Sequence, residues 1–347
     1  MDSIPSILII YTGGTIGMAR DAESGSYKAF EMDALFRHFP ELEGCQAKLS
    51  TWSFEEPLDS SDIDISIWVK LAHVIHERYN DFDGFVVLHG TDTMAYTASA
   101  LSFMLQDLAK PVIITGSQLP VGVLRTDGKE NLIGAIEIAS AKWRGHARVP
   151  EVAIYFGSSL YRGNRAQKFN TEGFEAFASF NHPPLVEVGI HMVFRDDVIL
   201  RPVDGDLQMC DKMEPNVGVL RFFPGISEAF VRQVLSTPGL KGLVLETYGS
   251  GNVPTRTWLR DALVEAAEQG MMLVNVTQCD KGFVEQGRYQ TSQMLRDAGV
   301  ISGADMTVEA ALTKMMKLLG NGYAGDELEA EFRRSWRGEL TAYSILA

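Results

Sequence analysis

This chain has little that would cross-link it, anchor it or capture a metal. Its three cysteines, Cys45, Cys210 and Cys279, are odd in number and far apart, so they make neither a disulfide framework nor a zinc site. They read as reduced, structural thiols. The 7 histidines show no metal-ligand spacing, and no metal or cofactor is expected. Basic residues are the minority, 31 against 45 acidic ones, for a net charge of −14. That balance excludes the basic footprint that nucleic-acid binding needs. The first apolar run, Ile7 to Tyr11, is far too short to span a membrane, and the residues before it lack the basic flank of a secretory signal. No membrane association and a cytoplasmic location are therefore expected. There is no phosphate-binding Gly-Lys-Ser/Thr loop, and the glycines of the first turn run G-G-x-x-G instead of Gly-x-Gly-x-x-Gly. A nucleotide-binding reading is thus the poorer alternative.

What is present is an ordinary globular composition, 46% hydrophobic and 22% charged. With 347 residues two domains are expected, because single cores rarely grow beyond about 250–300 residues. The first part alternates apolar strands (near 6–11, 84–89, 111–115 and 151–156) with helical stretches (near 62–79, 92–106 and 127–140). That order predicts a mostly parallel sheet covered on both faces. Asp196-Asp197, Pro202, Asp204-Gly205-Asp206 and Pro215 break the pattern and read as a connector. A second α/β series follows, with strands near 217–222, 242–246 and 271–276. Its helices lie near 226–235 and 255–268, and a final one runs from about 307 to 319. The expectation is an N-terminal domain over 1–195, a connector over 196–215 and a smaller C-terminal domain over 216–347.

Chemistry concentrates at three strand ends. The first strand runs into Thr12-Gly13-Gly14-Thr15-Ile16-Gly17, the second into His89-Gly90-Thr91-Asp92-Thr93-Met94, and the third into Gly116-Ser117-Gln118. Glycine lets backbone turn sharply and approach a ligand closely, and ligands of open α/β sheets bind past the carboxyl ends of strands. Each end also carries a hydroxyl, and the second carries a carboxylate as well. If the strands are parallel neighbours, the three ends converge. Thr91 or Asp92 would also suit the start of the helix that follows. His89 reads as a hydrogen-bonded strand-end residue and not as a base.

In this order the motifs resemble those of the bacterial-type L-asparaginase family, over nearly the whole chain. The resemblance rests on Tyr11 to Gly17, on His89 to Met94, and on Lys110-Pro111 leading to Gly116-Ser117-Gln118. Leu160-Tyr161-Arg162-Gly163-Asn164-Arg165 and Gly303-Ala304-Asp305-Met306-Thr307-Val308-Glu309 also match. It implies a large N-terminal domain with a mixed, mostly parallel sheet and a smaller C-terminal α/β domain with a four-stranded parallel sheet. It also implies the cytosolic type I branch and hydrolysis of L-asparagine to L-aspartate and ammonia without a cofactor.

By the resemblance, Thr15 attacks the side-chain amide and forms a β-aspartyl enzyme, and Tyr27 orients its hydroxyl. Thr91, Asp92 and Lys168 form a second triad. Ser60 and Ser61 offer donors to the substrate α-carboxylate, Asp92 takes the α-ammonium, and Ser117 lies near the amide. Asn252 reaches into a neighbouring subunit's site, which implies a homodimer assembling into a homotetramer. Some type I members carry a second, regulatory asparagine site, which would fall around Gln167, Glu246, Asn252 and Cys279. There this sequence has Glu246 in place of an arginine and Gln167 in place of a threonine, so loss or alteration of that site is expected. Two other readings differ in substrate or context. One is a preference for glutamine. The other is the ammonia-producing subunit of a tRNA-dependent amidotransferase, which the absence of an extra N-terminal domain opposes.

Overall fold

A computed structural model describes residues 4–20, 27–29, 37, 39–202, 205–286 and 290–341. The chain divides into two compact units, residues 1–211 and 212–347. In the first, apolar runs with five or more consecutive buried residues form interior strands. These are β1 (Ser6–Gly13), β3 (Gly84–Leu88), β4 (Val112–Thr115) and β5 (Val152–Phe156). Burial on both faces explains why they read as continuous apolar runs and not as alternating patterns. The edge strand β2 (Lys48–Leu58) was not expected. Its mixture of Lys48, Ser50, Glu55, Glu56 and Pro57 is that of an edge exposed to water.

The helices between them are α1 (Ile65–Glu77), α2 (Met94–Met104) and α3 (Gly128–Ser140). After β5 come β6 (Ser159–Arg162), β7 (Gln167–Lys168), β8 (Phe177–Ala178), β9 (Val186–Val188) and β10 (Met192–Phe194). The main sheet has the order β10-β9-β6-β5-β4-β3-β1-β2. It is parallel from β2 to β5 and antiparallel from β5 to β10. In that register Tyr11 lies opposite Leu88, and Leu88 opposite Thr115. The three expected strand ends therefore leave the sheet side by side at one level.

Helix α2 is unusual in having no polar face: every residue from Met94 to Met104 is buried except the half-buried Tyr96. Neither Thr91 nor Asp92 caps it. The N-cap position is Thr93, whose hydroxyl donates to the Ser60 carbonyl at 2.6 Å instead of to the helix. Asp64, by contrast, caps α1 by accepting the Ser66 and Ile67 amides at 2.8 and 3.4 Å.

The second unit holds a four-stranded parallel sheet: β11 (Val217–Arg221), β12 (Gly242–Thr247), β13 (Met272–Thr277) and β14 (Ile301–Ser302). The fourth strand, which the apolar pattern did not reveal, is only two residues long. Helices α4 (Glu228–Leu235), α5 (Thr257–Glu268), α6 (Gln290–Asp297), α7 (Val308–Gly320) and α8 (Gly325–Arg333) complete it. Thr307 caps α7 by accepting the Ala310 amide at 3.1 Å, and Asp305 instead accepts the Thr341 amide and hydroxyl at 2.8 and 2.6 Å. A fully buried ion pair, Lys314 to Glu339 at 2.5 Å, ties α7 to the segment after α8. Among the described residues no helix is long and apolar enough to cross a membrane, and no cluster of metal-ligating side chains occurs.

Candidate active site

The turn after β1 rests directly on the turn after β3. Gly14 has φ +85, and a Cβ there would lie 2.5 Å from the Gly90 nitrogen. A Cβ on Gly90 would in turn lie 2.6 Å from the Ser60 Oγ. Three connections, one following each of β1, β2 and β3, thus stack at the distance that only absent side chains allow. Thr12 reinforces the stack: its buried hydroxyl donates to the Leu88 carbonyl at 3.1 Å. Thr15 opens a single 3-10 turn, Thr15–Gly17, immediately beyond Gly14 and is half-buried.

On the second turn, Thr91 and Asp92 meet Lys168 from β7. The Lys168 Nζ donates to the Thr91 Oγ1 at 2.7 Å and to the Asp92 Oδ1 at 2.6 Å. Lys168 is largely covered, at 14% exposure, while Asp92 stays 66% exposed and so can face a ligand. The Thr91 hydroxyl points toward the Gln118 Oε1 at 3.4 Å. Ser60 joins the same group, since its Oγ accepts the Asp92 amide at 3.3 Å.

His89 lies beneath this turn, wholly buried, and burial pushes its pKa down to about 4. It is a neutral ring with a defined tautomer. The Gly90 carbonyl 2.6 Å from Nδ1 can only accept, so Nδ1 carries the proton and Nε2 accepts from Thr97 at 2.9 Å. Thr97 in turn takes the Trp68 indole N–H at 3.0 Å. His89 is therefore a hydrogen-bonded strut and not a base, as expected. Tyr11 is also buried at the base of the first turn. Burial raises its pKa to about 12, and its ring fills the space beside Gly17.

The remaining sequence candidates divide. Ser61 is exposed and its hydroxyl donates to Asp59 at 2.8 Å. Ser117 is buried and donates to the Leu119 carbonyl at 2.7 Å. Its neighbour Gln118, not singled out from sequence, does more: it faces the Thr91 hydroxyl, donates to the Gly173 carbonyl at 3.1 Å, and has its own amide held by Asp127. It lay within the quoted Gly116-Ser117-Gln118 motif, which was the available signal. Tyr27 pairs through its backbone with Arg20, and its side chain lies outside the described residues.

Gln167 is half-buried on β7 of the first unit. The second unit carries Glu246, Asn252 and Cys279, all at or just past the carboxyl ends of β12 and β13. Glu246 lies 3.3 Å from the exposed Arg221 guanidinium, Cys279 is exposed, and Asn252 closes a tight loop with Tyr248.

Comparison with known proteins identifies the family. The family model for the asparaginase N-terminal domain matches residues 6–200, and that for the glutaminase/asparaginase C-terminal domain matches residues 216–332. The chain is 43% identical to L-asparaginase 1 of Escherichia coli, over 97% of this chain and 98% of that protein. Among solved structures, L-asparaginase I from Vibrio cholerae superposes with a TM-score of 0.88 at 38% identity, covering 98% of this chain and 100% of that one. The thermostable L-asparaginase from Thermococcus kodakarensis gives 0.89 at 34% identity, covering 97% and 100%. The chain belongs to the bacterial-type L-asparaginase family, in its type I branch, and is an amidohydrolase acting on a linear amide.

Proposed function

We propose that the enzyme hydrolyses L-asparagine through a threonine-linked β-aspartyl intermediate, with Thr15 as the attacking group. The observation that carries this is the position of the Lys168 Nζ, 2.7 Å from the Thr91 oxygen and 2.6 Å from the Asp92 carboxylate. Lys168 donates from its Nζ to both oxygens. It holds the Thr91 oxygen as an acceptor and leaves the Thr91 proton directed away from it. Thr91 is then arranged to polarise and relay, not to attack, and the hydroxyl of Thr15 is left for the nucleophilic step.

In that step the Thr15 Oγ bonds to the amide carbon, the C–N bond breaks, and the threonine proton ends on the departing ammonia. Water then attacks the ester carbon, aspartate leaves, and Thr15 recovers a proton. The Asp92 carboxylate takes the substrate α-ammonium. Ser60, whose oxygen already accepts the Asp92 amide, keeps its proton for the α-carboxylate. Ser61 and Ser117 serve through their backbone and packing, since both hydroxyls donate within the protein. Tyr27 orients Thr15, and Asn252 contacts substrate from a neighbouring subunit of a homodimer that pairs into a tetramer.

The regulatory asparagine site is lost or altered, because Glu246 would repel an α-carboxylate. Ammonia release by the purified enzyme tests the reading. Thr15→Ala and Thr91→Ala are each expected to nearly abolish turnover with the fold intact, and wild-type-like activity in either refutes it. A hyperbolic response to L-asparagine is expected, and a sigmoidal one abolished by Glu246→Ala would contradict loss of the second site. Light scattering checks the oligomer: a monomer would remove the role given to Asn252.

A further inference from the structure

Asn275 lies in the middle of β13, between Val274 and Val276, with no exposure to solvent. It shares a sheet face with Leu243, Leu245 and Leu273, which pack with α4 and α5 in one apolar cluster. An amide buried there must recover the hydrogen bonds it loses to water. It does so in one direction only. Its Oδ1 accepts the hydroxyl of Thr247, itself fully buried, at 2.6 Å, and its Nδ2 donates to the Gly251 carbonyl at 3.2 Å. Two polar residues in an apolar layer thus end on one carbonyl of the loop that carries Asn252.

That loop, residues 248–252, is held from several sides. The Asn252 amide donates to the Tyr248 carbonyl at 2.8 Å and the Tyr248 amide to the Asn252 carbonyl at 2.9 Å. The Thr277 hydroxyl donates to the Gly249 carbonyl at 2.5 Å, and the Glu285 amide to the Ser250 carbonyl at 3.0 Å. Gly251 has φ +102, and a Cβ there would sit 2.9 Å from the Asn275 Nδ2. The peptide between Gly251 and Asn252 is therefore fixed at both ends, its carbonyl by Asn275 and its N–H by Tyr248. Fixing that plane fixes the Asn252 Cα and the direction in which its side chain leaves the backbone. A core built for stability alone would fill both positions with aliphatic side chains.

We infer that Asn275, fixed in turn by Thr247, is a positioning residue for Asn252, so that an amide buried in the second unit's core controls substrate affinity. This rests on the substrate contact proposed for Asn252. Asn275→Leu keeps the volume and removes the donor. It is expected to lower kcat/KM for L-asparagine about tenfold, mostly through KM, because displacing a substrate-contacting group costs binding before it costs chemistry.

The decisive measurement is the same substitution in an Asn252→Ala background, where it should change nothing further. Equal losses in both backgrounds would mean a general disturbance of the unit and overturn the inference, as would no loss in the parent enzyme. If Asn275→Leu does not fold, Thr247→Val carries the test. It is isosteric, unlocks the Asn275 amide, and should lower kcat/KM only while Asn252 is present. Val274→Ala opens a cavity on the opposite face of the same strand and should lower the melting temperature without moving KM. An Asn252→Ala enzyme with unchanged kinetics would refute the substrate contact itself. That result differs from one in which Asn252→Ala impairs the enzyme and Asn275→Leu does not.

Discussion

Replacing Gly14 by alanine tests whether the stacked turns set the spacing between the two threonines. Two costs follow from the geometry. The first is conformational: Gly14 has φ +85 and ψ 173, a region that essentially only glycine adopts, and an L-residue forced into it costs about 1–3 kcal/mol. The second is steric: the new Cβ would lie 2.5 Å from the Gly90 nitrogen and 2.6 Å from its Cα. That is roughly 1 Å closer than an unstrained contact. Both partners are backbone, so the turn after β1 must separate from the turn after β3 by about that amount. A displacement of about 1 Å between reacting groups costs on the order of a hundredfold in rate. Gly145→Ala is the control, since Gly145 has φ +87 but nothing within 4 Å of the added carbon. It bears a positive-φ cost of its own without the collision.

Ammonia release and thermal unfolding are to be measured on both variants. Both should lose thermal stability, at about 2–4 °C per kcal/mol for a unit of this size. Only Gly14→Ala should also lose about a hundredfold in kcat. If Gly14→Ala keeps kcat within a few-fold of Gly145→Ala, the stacked turns do not set the geometry of catalysis.

Two further outcomes concern buried charge. His89 titrates near 6.5 when unfolded and at about 4 when folded, so the unfolded chain binds the extra proton between those values. Stability is therefore unaffected by this group above pH 6.5 and falls as pH drops toward 4, by about 3 kcal/mol in all. Urea unfolding of wild type and His89→Gln across that range should show the gap between them changing by about that amount, and a constant gap would refute the assignment. Lys314 and Glu339 are both fully buried, so Glu339→Leu alone strands an ammonium and should destabilise by about 3–5 kcal/mol, whereas the double variant Lys314→Met/Glu339→Leu should recover much of the loss. Equal destabilisation by single and double variants would contradict a pairing role.

The sequence made the interior legible where burial left a simple mark. Continuous apolar runs located β1, β3, β4, β5, β12 and β13, and the glycine-rich ends of β1, β3 and β4 lie side by side at the candidate site. Elements whose contribution is not apolar were not visible. The strand β2 is an edge of polar residues with a proline, and α8, whose inward residues are Leu328 and Phe332, otherwise reads as a charged loop. The strand β14 is too short to carry a period. Thr91 and Asp92 have the chemistry of helix caps, but Lys168 draws both away, and only the folded chain brings that lysine near. Buried polar groups were the least readable. Lys314, Asn275 and Thr247 look like surface residues in a linear sequence, because their partners lie 25, 24 and 28 positions away.

The absence of a solvent face on α2 has a consequence during synthesis. From Met94 to Met104 the helix contains no charged residue and no proline, and in the unfinished chain α1, which comes before it, covers only part of its surface. Its covering strand β5 and the β6–β7 segment emerge from the ribosome roughly fifty to seventy residues later, several seconds at ordinary translation rates. During that interval the segment that follows Asp92 is an uncharged apolar stretch of the sort that chaperones bind and that aggregates nucleate on. Yield of folded enzyme should thus respond to translation speed and chaperone supply more sharply than its finished stability would suggest.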